Sequence, residues 1–135
     1  FGYRKIFLFL DEPGANNSGF NYLALWERVF DGFNVTKGVH CCDRLDWSTV
    51  FKYGRVDLIS FDASRFRIGN YDGYRSGKKI AWGVNAASSV RGYQAGDLIT
   101  PPCGLGMKTI GECERTLERL IVIREKILGR AEKVI

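Results

Sequence analysis

The sequence predicts an α/β fold in which parallel-type strands alternate with helices, on three observations. Short continuous apolar runs bounded by turn residues alternate with segments whose apolar residues recur at helical spacing. Each run ends in a polar or ligand-type residue, as in α/β proteins whose sites lie at the carboxyl edge of the sheet. The chain has 135 residues, 45% apolar and 13% aromatic, enough for one domain with a real core.

The elements follow in order. Residues 5–10 carry the run Ile6-Phe7-Leu8-Phe9-Leu10, which stops at Asp11-Glu12-Pro13-Gly14 as a strand buried on both faces would. After a polar loop at Asn16-Asn17-Ser18-Gly19, residues 21–31 place Leu23, Trp26, Val29 and Phe30 at helical spacing, with Gly32 as the stop. Residues 34–39 form a second strand that runs into His40-Cys41-Cys42. Residues 46–53 form a short helix with Asp46 as its N-cap and Gly54 as its stop. A third strand at 56–61 ends at Asp62, and a fourth at 79–84 ends at Asn85. A fifth at 98–100 leads into Pro101-Pro102-Cys103, and Gly104-Leu105-Gly106 turns the chain into a closing helix over 110–128. That helix places Leu117, Leu120, Ile121, Ile127 and Leu128 on one face. Residues 64–77 break the pattern: they are dense in turn residues and are expected to form a loop, placed over the site.

His40 is the only histidine, and it stands two positions from Cys42, so on an extended strand both side chains leave the same face. Two ligands of one metal have that geometry. Zinc takes cysteine sulfur, histidine nitrogen and carboxylate oxygen in a tetrahedral set, and a catalytic site keeps one position open. Cys103 and Asp62, each at a strand end, would complete a protein set. The plain alternative is a packed, hydrogen-bonded His–Cys pair without metal. Cys41 points to the opposite face and is expected to be a buried small residue, as is Cys113 at helical spacing with Leu117.

Composition narrows the function classes. The net charge of +5 comes from 20 Lys and Arg against 15 Asp and Glu, clustered at Arg65/Arg67, at Arg75/Lys78/Lys79 and on the last helix. These clusters are expected to be solvated surface, since aromatic residues are not interleaved with them as in a nucleic-acid face. The sequence has no apolar run of membrane-spanning length, and residues 6–10 are too short for a signal peptide, so a soluble, cytoplasmic protein is expected. Of the four cysteines Cys41 and Cys42 are adjacent, which favours metal-binding or catalytic thiols in a reducing compartment over a disulfide framework.

The succession Phe9-Leu10-Asp11-Glu12-Pro13, Val39-His40-Cys41-Cys42, Asp57-Leu58-Ile59-Ser60-Phe61-Asp62-Ala63-Ser64-Arg65 and Pro102-Cys103-Gly104-Leu105 spans nearly the whole chain. It resembles the C-terminal catalytic domain of cobalamin-independent methionine synthase, and the wider superfamily of zinc-dependent thiol methyltransferases related to uroporphyrinogen decarboxylase. The resemblance implies a (β/α)8 barrel, of which this chain would supply the C-terminal five βα units, since a complete barrel takes about 250 residues. It implies a methyltransferase with Zn2+ held by His40, Cys42, Cys103 and Asp62, and with Asp11 binding the amino group of a homocysteine-like thiol. The methyl donor would be a folate or a methylated corrinoid protein. Asp62 is one methylene shorter than the family's glutamate, and Gly83-Val84-Asn85 lacks the Asp-x-His of the methionine synthases and looks closer to the corrinoid-linked branch. An open part-barrel implies a complementary N-terminal chain or self-association. A non-catalytic zinc-binding module that needs a partner chain, and an α/β domain with structural cysteines, are the rival expectations.

Overall fold

The computed structural model describes residues 5–12 and 21–131. Five strands form one parallel sheet in strict chain order: β1 (Phe7–Asp11), β2 (Thr36–Cys41), β3 (Leu58–Asp62), β4 (Lys79–Gly83) and β5 (Leu98–Thr100). Helices α1 (Tyr22–Phe30) and α2 (Trp47–Lys52) connect the first three strands, and α3 (Ile110–Ala131) follows β5. The predicted alternation of strands and helices therefore holds, with boundaries shifted by one or two residues at most elements. The polar loop read at 16–19 lies outside the described residues. Among the described residues no helix is long and apolar enough to cross a membrane.

Local chemistry starts each helix where the sequence indicates. Asn21 caps α1 by accepting from the Ala24 backbone N–H at 3.2 Å, and Asp46 caps α2 by accepting from that of Thr49 at 3.2 Å. The bonds from Thr49 hold the Asp46 carboxyl below the usual carboxylate range. At α3, Thr109 and Glu112 form a reciprocal capping box: the Thr109 N–H donates to Glu112 Oε2 at 2.8 Å, and the Glu112 N–H donates to Thr109 Oγ1 at 3.4 Å.

The register divides the sheet into two unlike faces. Leu10, Val39, Ile59 and Ile80 stand in one row and Cys41, Phe61, Trp82 and Ile99 in the next. All eight join the core, into which α1 sends Trp26 and Phe30, and α2 sends Trp47, Val50 and Phe51. The other face carries the rows Phe9, Gly38, Leu58, Lys79 and Asp11, His40, Ser60, Ala81, Leu98. Leu58 and Ala81 are buried there yet stand apart from the core cluster. A Cβ on Gly38 would lie 2.5 Å from the Phe9 ring, so the missing side chain makes room for that aromatic.

Three expectations are corrected. β1 is not buried on both faces: among the described residues it is an edge strand paired only with β2, and Phe7 and Phe9 remain 43% and 38% exposed. On α3 the buried stripe is Leu120, Ile123 and Ile127, whereas Leu117 and Ile121 are exposed, because the helix meets β5 and the turn at Ala87–Ser89 with a narrower arc than the apolar residues span. The cluster Arg75/Lys78/Lys79 is not simply solvated surface, since Arg75 and Lys78 are buried. Lys78 Nζ donates to the carbonyls of Tyr53 and Val56 at 2.6 and 2.7 Å, just beyond α2, and burial lowers its pKa.

The 64–77 segment is a packed loop. Ile68 enters the core, Tyr74 meets Phe51 edge-on with ring centroids 5.3 Å apart, and Arg75 takes a left-handed backbone at φ 65°. Arg75 reaches Asp97 with two bonds, Nη1 to Oδ1 at 2.9 Å and Nη2 to Oδ2 at 2.7 Å. Asp97 also accepts from the Ile80 N–H, Trp82 Nε1 and the Gln94 N–H at 2.9–3.0 Å. Two residues at the start of this loop touch the predicted site: Ser64 bonds Asp62, and Arg65 donates to the Cys42 carbonyl at 3.1 Å.

Candidate metal centre

Three strand-end residues converge. His40 lies in β2 and Cys42 one residue past its end, so the alternation of side chains along an extended chain sends both to the face opposite the core. Cys41 between them goes the other way: it is buried in the core, its thiol donates to the Asp43 carbonyl at 3.3 Å, and burial raises its pKa. Cys103 arrives from the far edge, three residues beyond Thr100. A Cβ on Gly83 would sit 2.5 Å from the Phe61 carbonyl oxygen and 2.8 Å from the Pro102 Cα, so only glycine lets the Pro101-Pro102 segment lie across the end of β4.

The geometry is tight. His40 Nε2 lies 2.8 Å from Cys42 Sγ, Cys42 Sγ lies 3.2 Å from Cys103 Sγ, and the three ligand atoms all fall within 4.8 Å of one another. His40 Nδ1 is 2.8 Å from Ser60 Oγ, the in-register neighbour on β3. Burial, then the hydrogen bond shared with Cys103, pushes the Cys42 thiol up to about 12. Two thiols and an imidazole thus converge on one point, a donor set that suits a metal ion. Around zinc such atoms stand about 3.5–3.8 Å apart, which asks only for outward side-chain rotations of several tenths of an ångström. Cys103 is exposed and His40 and Cys42 are half-buried, so a fourth position would open to solvent.

The other predicted residues are placed less directly. Asp11 ends β1 in register with His40, on the same face. Asp62 ends β3 on that face too, but it stands outside the His40–Cys42–Cys103 group. Its Oδ1 accepts from the Ser64 backbone N–H at 2.9 Å and the Ser64 hydroxyl at 2.5 Å, the local turn a short carboxylate forms with its own backbone. Glu12 accepts from Trp26 Nε1 at 2.6 Å and so ties the strand end to α1. Sequence reasoning missed Ser60 and Gly83. A lone hydroxyl inside the apolar run Leu58-Ile59-Ser60-Phe61 was the available signal for the first, whereas nothing local marks the close approach at the second. Compared with family models, with curated proteins and with solved structures, the chain finds no match in any of the three.

Proposed function

We propose that this chain is the zinc-binding catalytic part of a methyltransferase that passes a methyl group to a thiol, with a homocysteine-like acceptor. The observation that carries the reading is the convergence of His40, Cys42 and Cys103 at one sheet edge with a fourth position toward solvent. Zinc, when bound, supplies the charge that keeps a substrate thiol ionised at neutral pH. His40, Cys42 and Cys103 hold the ion, and Asp62 is a weaker or indirect partner. A thiol is a weak nucleophile when protonated and a strong one once ionised, which is why acceptor activation is the chemistry this donor set favours: the thiolate attacks the methyl carbon and the demethylated donor leaves. The methyl donor on this reading is a folate or a methylated corrinoid protein, and the setting is cytoplasmic.

Asp11 would orient the acceptor. A carboxylate one strand away from His40, in the same row and on the same face, can hold an ammonium group while the thiol points toward the metal ligands. Asp11→Asn is expected to lower kcat/KM for homocysteine about tenfold to a hundredfold, the weight of one charged hydrogen bond. An acceptor thiol that lacks the amine should lose far less. Equal losses on both acceptors would remove the amino-group role.

The strict chain order of the five parallel strands, with no reversal, supports a segment of a (β/α)8 barrel over a doubly wound sheet. On this reading the face bearing Phe7, Phe9, Leu58 and His40 turns inward, and β1 and β5 await neighbours. Exposed apolar residues at both edges, Phe7 and Phe9 on β1 and Leu117 and Ile121 on α3, fit such a partner, either further barrel units or a second copy. Light scattering across a concentration series is expected to show association. A species of 15.3 kDa that stays monomeric at every concentration and unfolds cooperatively would rule the part-barrel out.

A further inference from the structure

His40 has two polar neighbours in its row of the sheet, Asp11 on β1 and Ser60 on β3, and its Nδ1 is engaged by Ser60 Oγ at 2.8 Å. Ser60 is 5% exposed in the middle of its strand, and its other row neighbour is Ala81, which has no polar side-chain atom to compete for the hydroxyl. On the opposite side of the ring, Nε2 faces Cys42 Sγ at 2.8 Å. The imidazole is therefore clamped between two partners, each of which can donate or accept.

We infer that Ser60 is the positioning residue of the metal centre: by accepting the Nδ1 proton it holds His40 in the Nδ1–H tautomer and presents a bare Nε2 to the ion. A neutral imidazole has one protonated and one free nitrogen, and whichever nitrogen is bonded elsewhere decides which one is available for coordination. With Nδ1–H donating to Ser60, the lone pair of Nε2 points at the thiols, and the protonated Cys42 can donate to it until an ion takes its place. The same hydroxyl sets the rotation of the ring about its Cβ–Cγ bond. Without it, a half-turn of the ring would put Cδ2 where Nδ1 stands and Cε1 where Nε2 stands, taking the donor nitrogen away from the thiols. A serine suffices because the hydroxyl sits on the adjacent strand, at the pairing distance of the sheet, and Ser60 is kept from solvent competition by burial. This role rests on the zinc reading, since an ion held at Nε2 requires Nδ1 to carry the proton that Ser60 accepts.

His40 is the only histidine, so its ring nitrogens are assigned without ambiguity in a long-range proton–nitrogen NMR spectrum of the labelled protein. At pH 8, before metal is added, the wild type is expected to show the Nδ1–H form, whereas free imidazole side chains favour Nε2–H. Ser60→Ala should shift the ring toward Nε2–H, and Ser60→Thr, which keeps the hydroxyl, should restore the wild-type pattern. Titration with zinc against a chromophoric chelator should then show Ser60→Ala binding about 10- to 100-fold more weakly, with Ser60→Thr close to wild type. Cobalt substitution offers a second readout, through altered visible bands in Ser60→Ala alone. An unchanged tautomer in Ser60→Ala, or a loss in Ser60→Thr equal to that in Ser60→Ala, would overturn the assignment. Failure of the wild type to bind zinc would instead count against the metal reading, and the metal-free spectrum would still decide what Ser60 does.

Discussion

Replacing Cys103 with serine is expected to abolish stoichiometric zinc, while Cys41→Ser leaves it in place. Cys103 supplies one of the three converging ligand atoms, and it is exposed on a loop, so its removal leaves no cavity in the core. Cys41 is two atoms of side chain in the same tripeptide, yet it is buried among the core residues on the other face of the sheet. Losing a partner that only orients a ligand costs about 10- to 100-fold in metal affinity, so losing a ligand itself should exceed about a hundredfold. Elemental analysis after dialysis against a weak chelator gives the answer. Metal retained by Cys103→Ser and lost by Cys41→Ser would reverse the assignment of the two faces. The fold cost runs the opposite way, because Cys41→Ser places a hydroxyl in an apolar layer and Cys103→Ser does not.

The second large effect concerns stability and lies at Asp97. Its carboxylate takes both forks of Arg75, the Ile80 and Gln94 amides and the Trp82 indole, in a fully buried position. Asp97→Ala is expected to destabilise the fold by about 3–5 kcal/mol, because Arg75 would be left as an uncompensated buried cation. Chemical denaturation of the two proteins side by side measures it, and a loss below about 1 kcal/mol would show that water replaces the carboxylate without penalty. Burial alone would raise the Asp97 pKa, but the bonds from Arg75, Trp82 and the two amides hold it below the usual carboxylate value. The sign follows from that: a depressed folded pKa contributes stability that is complete above about pH 4, the unfolded value, and is lost as pH falls through the folded one. The gap between wild type and Asp97→Ala should therefore narrow in acid.

The parts of this molecule that obey a period were legible in the sequence, and the parts built by distant meetings were not. His40 and Cys42 stand on one face because alternation along a strand requires it, and Asn21 and Asp46 cap their helices by chemistry local to three residues. Asp97 gave no such warning: it follows Gly96 in what looks like a surface turn, and its main partner lies 22 residues away. Asp62 shows the opposite case, a strand-end acid in the expected place whose short side chain is engaged by the turn that follows it. The apolar face of α3 was read too wide, since periodicity marks which residues are apolar and not how much of the arc a neighbour covers. β1 was read as doubly buried for a related reason: a continuous apolar run does not say whether a strand has neighbours on both sides.

The contact at Gly83 links two events that are independent in most sheets. β5 has three residues, at the short end of strand lengths, and among the described residues it pairs only with β4. The Pro101-Pro102 segment that leaves it lies against Gly83, and Cys103 follows directly, its sulfur 3.2 Å from that of Cys42. Seating the last strand thus carries the third donor to its post, with no separate loop closure to search for. Completion of the sheet edge and convergence of the three side chains are geometrically tied, because the residues that leave β5 are the ones that bring Cys103 to Cys42.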